Sequence, residues 1–324
     1  MAGKGTLITA IDFNTIQSNV AQILGISSGN FGYGQAVTSS QVSTNAKISI
    51  AQWTNLRTDL LRCIQHQTNL DYTNYLTTPT SSTKITSGIY DAYKAVSDYI
   101  ATNRLAVPLG PSISPPPPTP LAGYGAVLSG QATRETFNVS QRTASWNTTI
   151  THTLTVSFAE SGLYAGTYNS KYFFNSGGRF EFSASRTGGS GGLKNDSWTT
   201  LLTNMGTIYF DYDTTSVVGG TGSFVSNIGF YDLTTSDQIL FEKNLAVGET
   251  YYPNKYNITA RVNDTTTRSQ IIFTIRFADD SSQPNPPWGS DEYVDGTLTS
   301  RIETYRATGS NVVVTAPTVV SSGI

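Results

Sequence analysis

The chain has 324 residues, of which only 13% are charged, with a formal net charge of −2 and a pI near 5.7. That length leaves room for two hydrophobic cores, and the charged share is about half the usual ~25%, its place taken by Ser, Thr, Asn, Gly and Tyr. No basic face stands out, which excludes phosphate-driven nucleic-acid binding. No run of about eighteen apolar residues occurs, so no membrane partner is expected. Cys63 is the single cysteine, so there is no intrachain disulfide framework. Met1-Ala2-Gly3-Lys4-Gly5 lacks the charged-then-apolar pattern of a secretory signal, and synthesis in a cytoplasm is expected.

In chain order, a first helix is expected from Asp12, whose carboxylate can accept the free N–H groups of the first turn. Phe13, Ile16, Val20, Ile23 and Leu24 make one apolar stripe and Gly25 ends it. Residues 26–45 read as an extended, Gly-rich loop. The second helix has the best local signal: Ser49 and Gln52 form a capping box, and Ile48 can staple onto Trp53. Trp53, Leu56, Leu60 and Ile64, with Cys63, continue a stripe suited either to the other helices or to a symmetry mate. These four residues are the assembly candidates. A third helix over 86–103 presents Ile89, Tyr93, Val96 and Ile100.

Pro108, Pro111, Pro115 to Pro118 and Pro120 then predict a stiff, extended spacer. Beyond it the apolar period falls from three or four to two. Ile150, His152, Leu154, Val156 and Phe158 alternate with hydroxyl residues, as do Phe180, Phe182 and Ala184, and Ile271, Phe273, Ile275 and Phe277, with polar ones. Further strands are expected near 206–212, 224–231, 238–243, 254–262, 297–306 and 311–315, about nine in all. A short helix near 195–204, capped by Asn195 or Asp196, interrupts them. The fold class is therefore α+β in two domains: a helical anchoring and oligomerisation module (1–106), a Pro-rich linker (107–120) and an antiparallel, jelly-roll-like β-sandwich (121–324).

No catalytic set emerges. His66, in a helix, and His152, on the inward face of a strand, read as structural, and Cys63 as a small core residue. Two histidines and one cysteine exclude an ordinary zinc site. Gly188 to Gly192 and Gly219 to Gly222 lack the Lys-Ser/Thr that follows a phosphate loop. Acidic clusters are the residual chemistry: Asp211 and Asp213, Asp279-Asp280, and Asp291, Glu292 and Asp295. The last three are a weak Ca²⁺ candidate, and carboxylate pairs also serve glycoside hydrolysis. Turn formation is the simpler reading of all of them. No cofactor is expected.

Several stretches carry a resemblance. Lys194-Asn195-Asp196-Ser197-Trp198 followed by Leu201-Leu202 and Met205-Gly206-Thr207 resembles a segment of virion structural proteins from tailed, mostly contractile-tailed, T4-like phages of cyanobacteria. So do Tyr172 to Gly178, Gly229 to Thr235, Asp291 to Ser300, and Phe31-Gly32-Tyr33-Gly34-Gln35 with Trp53 and Leu56. The resemblance covers most of the chain. It implies a non-enzymatic particle component, located in the virion with other virion proteins as partners, and carries over no catalytic residue. The resulting expectation is a homo-oligomer, a trimer preferred, anchored by the helices at the tail, baseplate or fibre and displaying the β domain. Head decoration or a neck position comes second. A host-glycan adhesin using exposed aromatics such as Trp288 is the reading from another class, and a polysaccharide-degrading enzyme using Asp291 or Asp295 comes third.

Overall fold

The computed structural model describes residues 8–27, 30–82, 84–105, 126, 128, 130–163, 166–281 and 292–324. The Pro-rich spacer, Trp288 and Asp291 lie outside the described residues. The fold is α+β, with the long helices at the front and antiparallel sheets behind.

Three helices form the front: α1 (Ala10–Leu24), α2 (Ile50–Thr68) and α3 (Ser87–Thr102). Thr9, not Asp12, caps α1. Asp12 sits at the third helical position and closes a capping box by accepting from the Thr9 N–H at 2.8 Å. The box was hidden because its acid is Asp rather than the usual Glu or Gln. The expected Ser49–Gln52 box is present at the start of α2. Near the helix starts, Phe13 meets Trp53 at 5.1 Å and Trp53 meets Tyr93 at 5.3 Å between ring centroids. Near the ends, Gln67 donates to the Ile100 carbonyl at 3.0 Å. All three helices therefore point the same way, which obliges the chain to return twice along the bundle.

Helix side chains secure both returns. The Asp59 carboxylate, buried mid-helix in α2, accepts from the Thr38 and Ser39 N–H groups at 2.9 and 2.7 Å, and Asn14 pairs with both polar groups of Val42. Arg57 donates to the carbonyls of Leu76 and Thr73. Without these partners the returning backbone would lie against a core with unmet hydrogen bonds.

The β domain contains β1 (Ala132–Arg142), β2 (Ile150–Ser157), β3 (Arg179–Thr187), β4 (Thr207–Phe210), β5 (Thr215–Val218), β6 (Ser223–Phe224), β7 (Gln238–Asn244), β8 (Lys255–Val262), β9 (Gln270–Ala278), β10 (Thr297–Ala307) and β11 (Thr318–Ser322). They form two antiparallel sheets, ordered β1-β10-β3-β4-β5 and β11-β2-β9-β8-β7-β6. The order 1-10-3 facing 2-9 has the interleaving of a Greek key, whereas 3-4-5 and 9-8-7-6 are plain meanders. Phe180, Phe182 and Phe210 from one sheet close on Phe273 of the other at 4.9 to 5.5 Å, which makes the pair a sandwich. His152, facing inward as expected, bridges the sheets with Nδ1 2.9 Å from the Ser300 hydroxyl.

Two expected strands fail. The stretch 224–231 is strand only at Ser223–Phe224 before a 3-10 turn at Phe230–Asp232, and 311–315 contributes a single bridge between Val313 and Thr308. Strands β1, β5 and β11 were not expected: β1 has no clean alternation of burial, β5 is four residues long, and β11 is a largely exposed edge. The helix α5 (Leu193–Asn204) starts earlier than expected, after Gly192, and Asn195 lies inside it. A further short helix, α4 (Asn169–Asn175), gave no periodic signal because it spans only two turns.

Candidate functional site

The helical module packs directly on the sandwich, and one continuous buried cluster runs through both. The contacts are made by the C-terminal ends of all three helices. After α1, the carbonyls of Ile26 and Ser27 accept from the Lys171 ammonium of α4, and Asn175 donates to the Gly32 carbonyl at 2.9 Å. At the end of α2, His66 Nε2 lies 3.1 Å from the Ser176 carbonyl, and Arg62 donates to that of Asn311. After α3, Arg104 donates to the Tyr212 hydroxyl at 2.8 Å and its guanidinium covers the Phe31 ring. Beyond the spacer the chain rejoins the end of α2, where Asp71 donates to Ala126 and Leu128 to Asn69.

The assembly candidates are placed differently from the symmetry-mate alternative. Trp53, Leu56, Leu60 and Ile64 are at most 3% exposed and belong to the buried cluster, with the Trp53 ring against Phe13 of α1 and Tyr93 of α3. They hold the module together; Leu56, Leu60 and Ile64 are closed to another copy, because reaching them means opening the core, whereas Trp53 also lines the groove at the helix starts. Making Trp53 Ser is therefore expected to destabilise the isolated chain by about 3–5 kcal/mol. Urea denaturation of the purified chain checks this, and a loss confined to assembly would contradict it.

Among the described residues an open apolar surface lies at the other pole. Around the N-terminal ends of the helices is a groove of about 730 Å³ lined by Ile8, Ile11, Ile48, Trp53 and Ile85, with Lys47 at its side. Ile11 is 72% exposed, and nearby Ile50 is 43% exposed. Sequence reasoning passed over Ile11 and Ile50 because they fall off the apolar stripes, which is the signal that marks an apolar residue on the outer face.

The acidic candidates are engaged in structure. Asp295 accepts from the Ser190 N–H and hydroxyl, Asn195 and Arg186, which hold its carboxyl down to about 2. Glu292 accepts from the Lys194 N–H at 3.1 Å and the Tyr251 hydroxyl at 2.7 Å. Among the described residues no group of three or more His, Cys, Asp or Glu is arranged to hold a metal ion. Asp211 accepts from the Asp213 and Thr214 N–H groups, making a turn, and burial pushes its carboxyl up to about 6. Asp279 departs from the turn reading: it is buried beside β9, and its Oδ2 lies 2.7 Å from the Lys194 ammonium, both side chains being 0% exposed.

Both histidines are buried, and burial lowers each to about 4. The unfolded chain then binds more protons than the folded one between about pH 4 and the ordinary histidine value near 6.5, so stability falls as the pH is lowered through that window. Each histidine accounts for at most about 3 kcal/mol, and the raised Asp211 opposes them below pH 6. Denaturation midpoints are expected to drop from pH 7 to pH 4.5, with a shallower drop in a His66→Gln variant; equal slopes would contradict the assignment.

The chain matches no protein-family model, no curated protein and no solved structure.

Proposed function

We propose that this chain is a non-enzymatic structural component of a tailed-phage particle, mounted by the free pole of its helical module and presenting the β-sandwich at the tail or baseplate. The observation that carries this reading is the polarity of the module. The C-terminal ends of its three parallel helices are bound into the sandwich, whereas the N-terminal ends carry an apolar groove that no described residue covers. Exposed apolar surface of this kind marks interaction sites. The occupant that fits is a segment of another virion protein with apolar residues beside acidic ones. Lys47 stands at the groove, and three helix dipoles direct their positive ends toward it.

Gold labelling of intact particles with an antibody against residues 121–324 tests the placement. Label on the tail or baseplate is the expected result; label at capsid vertices would move the protein to head decoration or neck, and no label on intact or opened particles would overturn the virion reading. The mount has its own test. Ile11→Asp is expected to leave stability within about 0.5 kcal/mol while abolishing incorporation into particles. Normal incorporation would remove the groove from the mount. If the variant instead turns an oligomer of the purified chain into monomers, the occupant is a second copy, with a closed ring such as a trimer as the assembly.

A further inference from the structure

The buried pair Lys194–Asp279 is built in more detail than a salt bridge requires. Lys194 lies in the first turn of α5 and Asp279 directly follows β9, with Nζ 2.7 Å from Oδ2 and both side chains 0% exposed. As a source of stability such a pair is weak, since an apolar pair of the same volume holds a fold as well or better. Around the carboxyl the two oxygens are treated differently. Asn254, itself fully buried, donates Nδ2 to Oδ1 at 2.7 Å, whereas Oδ2 faces the amine. The amine is aimed as well. Nζ donates to the Glu292 carbonyl at 2.9 Å, the Glu292 carboxylate accepts from the Lys194 N–H and the Tyr251 hydroxyl, and Nζ lies 5.8 Å from the centroid of the Tyr251 ring.

We propose that Lys194 and Asp279 are joined by a self-formed amide, an intramolecular isopeptide bond between Nζ and Cγ that ties α5 to the end of β9. An amine in ion-pair contact with a carboxyl oxygen stands about 3.5 Å from the carboxyl carbon, within the range of a near-attack arrangement. A proton passes from Nζ to Oδ2, leaving a free amine and a carboxylic acid. The nitrogen lone pair attacks Cγ, and the negative charge that develops on Oδ1 falls on the Asn254 Nδ2–H already directed at it. A second proton moves from nitrogen to Oδ2, the Cγ–Oδ2 bond breaks, and Oδ2 departs as water. One ammonium and one carboxylate become one amide and one water. Atoms and charge balance, and no oxidant, metal or co-reactant is needed.

Mass spectrometry of the full-length chain, denatured, tests the bond. The expected mass is one water below that of the sequence, and proteolysis is expected to release a branched peptide joining Lys194 to Asp279. A Lys194→Arg chain is expected to keep the full mass. In an Asp279→Asn chain the same attack would expel ammonia, so a loss of ammonia in place of water would identify residue 279 as the electrophile. A native chain of full sequence mass would overturn the proposal. So would a missing water that maps elsewhere, for example to a succinimide at Asp295-Gly296.

Discussion

Replacing Lys194 by Met is expected to lower the stability of the folded chain by about 3–5 kcal/mol. Besides the covalent link, the loss comes from what remains: the Asp279 carboxylate, enclosed at 0% exposure, without the lysine nitrogen that faced it. Asn254 and Ser281 still bond Asp279 and each other, but they are neutral and do not offset a buried charge. The double change Lys194→Met with Asp279→Leu is expected to recover only the part due to the stranded charge, because two apolar groups need no partner but do not restore the covalent link. Denaturation midpoints of the single and double variants check this; a single variant within 1 kcal/mol of the parent would contradict it. A double variant as stable as the parent would count against the amide.

Gly34→Val is expected to cost about 3 kcal/mol or more, and to do so by separating the helical module from the sandwich. Gly34 has φ +70°, a conformation that side chains other than glycine adopt at a cost of about 1–2 kcal/mol. A Cβ there would stand 2.5 Å from Cδ2 and 2.8 Å from Cδ1 of the Tyr172 ring. That ring cannot yield easily, because α4 is held against the same loop on both sides, by Lys171 on the Ile26 and Ser27 carbonyls and by Asn175 on Gly32. The expected signature is a lowered Tm together with new protease cleavage within residues 26–36. Gly162→Ala, where an added methyl meets none of the described residues within 4 Å, is the control and is expected to be near neutral. An equally stable Gly34→Val chain would show that the contact with α4 is not what joins the two parts.

How much of this was legible in the sequence varies with the range of the interaction. The Ser49–Gln52 box and the stripe from Trp53 to Ile64 could be read directly, because a helix end and a helix face are written within a few residues of each other. The alternation of β2 and of β9 was equally plain, each having one face in the core. Strand β1 was not, because its half-exposed face breaks the pattern. The acidic residues were legible as a type but not in their use. Asp211 makes a turn, Asp59 secures a returning loop and Asp279 faces a lysine 85 positions earlier, though nothing within a few residues of any of them distinguishes the three.

The amino-acid sequence by itself determined the α+β class, the change of period across the Pro-rich strip, the inward face of His152 and the buried character of Cys63. Each follows from local propensity and patterning, which act over one or two turns of chain. Only the tertiary structure decided that the helices are parallel, that their C-terminal ends bind the sandwich, that Trp53, Leu56, Leu60 and Ile64 are enclosed, and that the open apolar surface is the opposite pole. These depend on which elements pack together across tens to hundreds of residues, and an apolar stripe is the same whether its partner is another helix of the chain or another molecule.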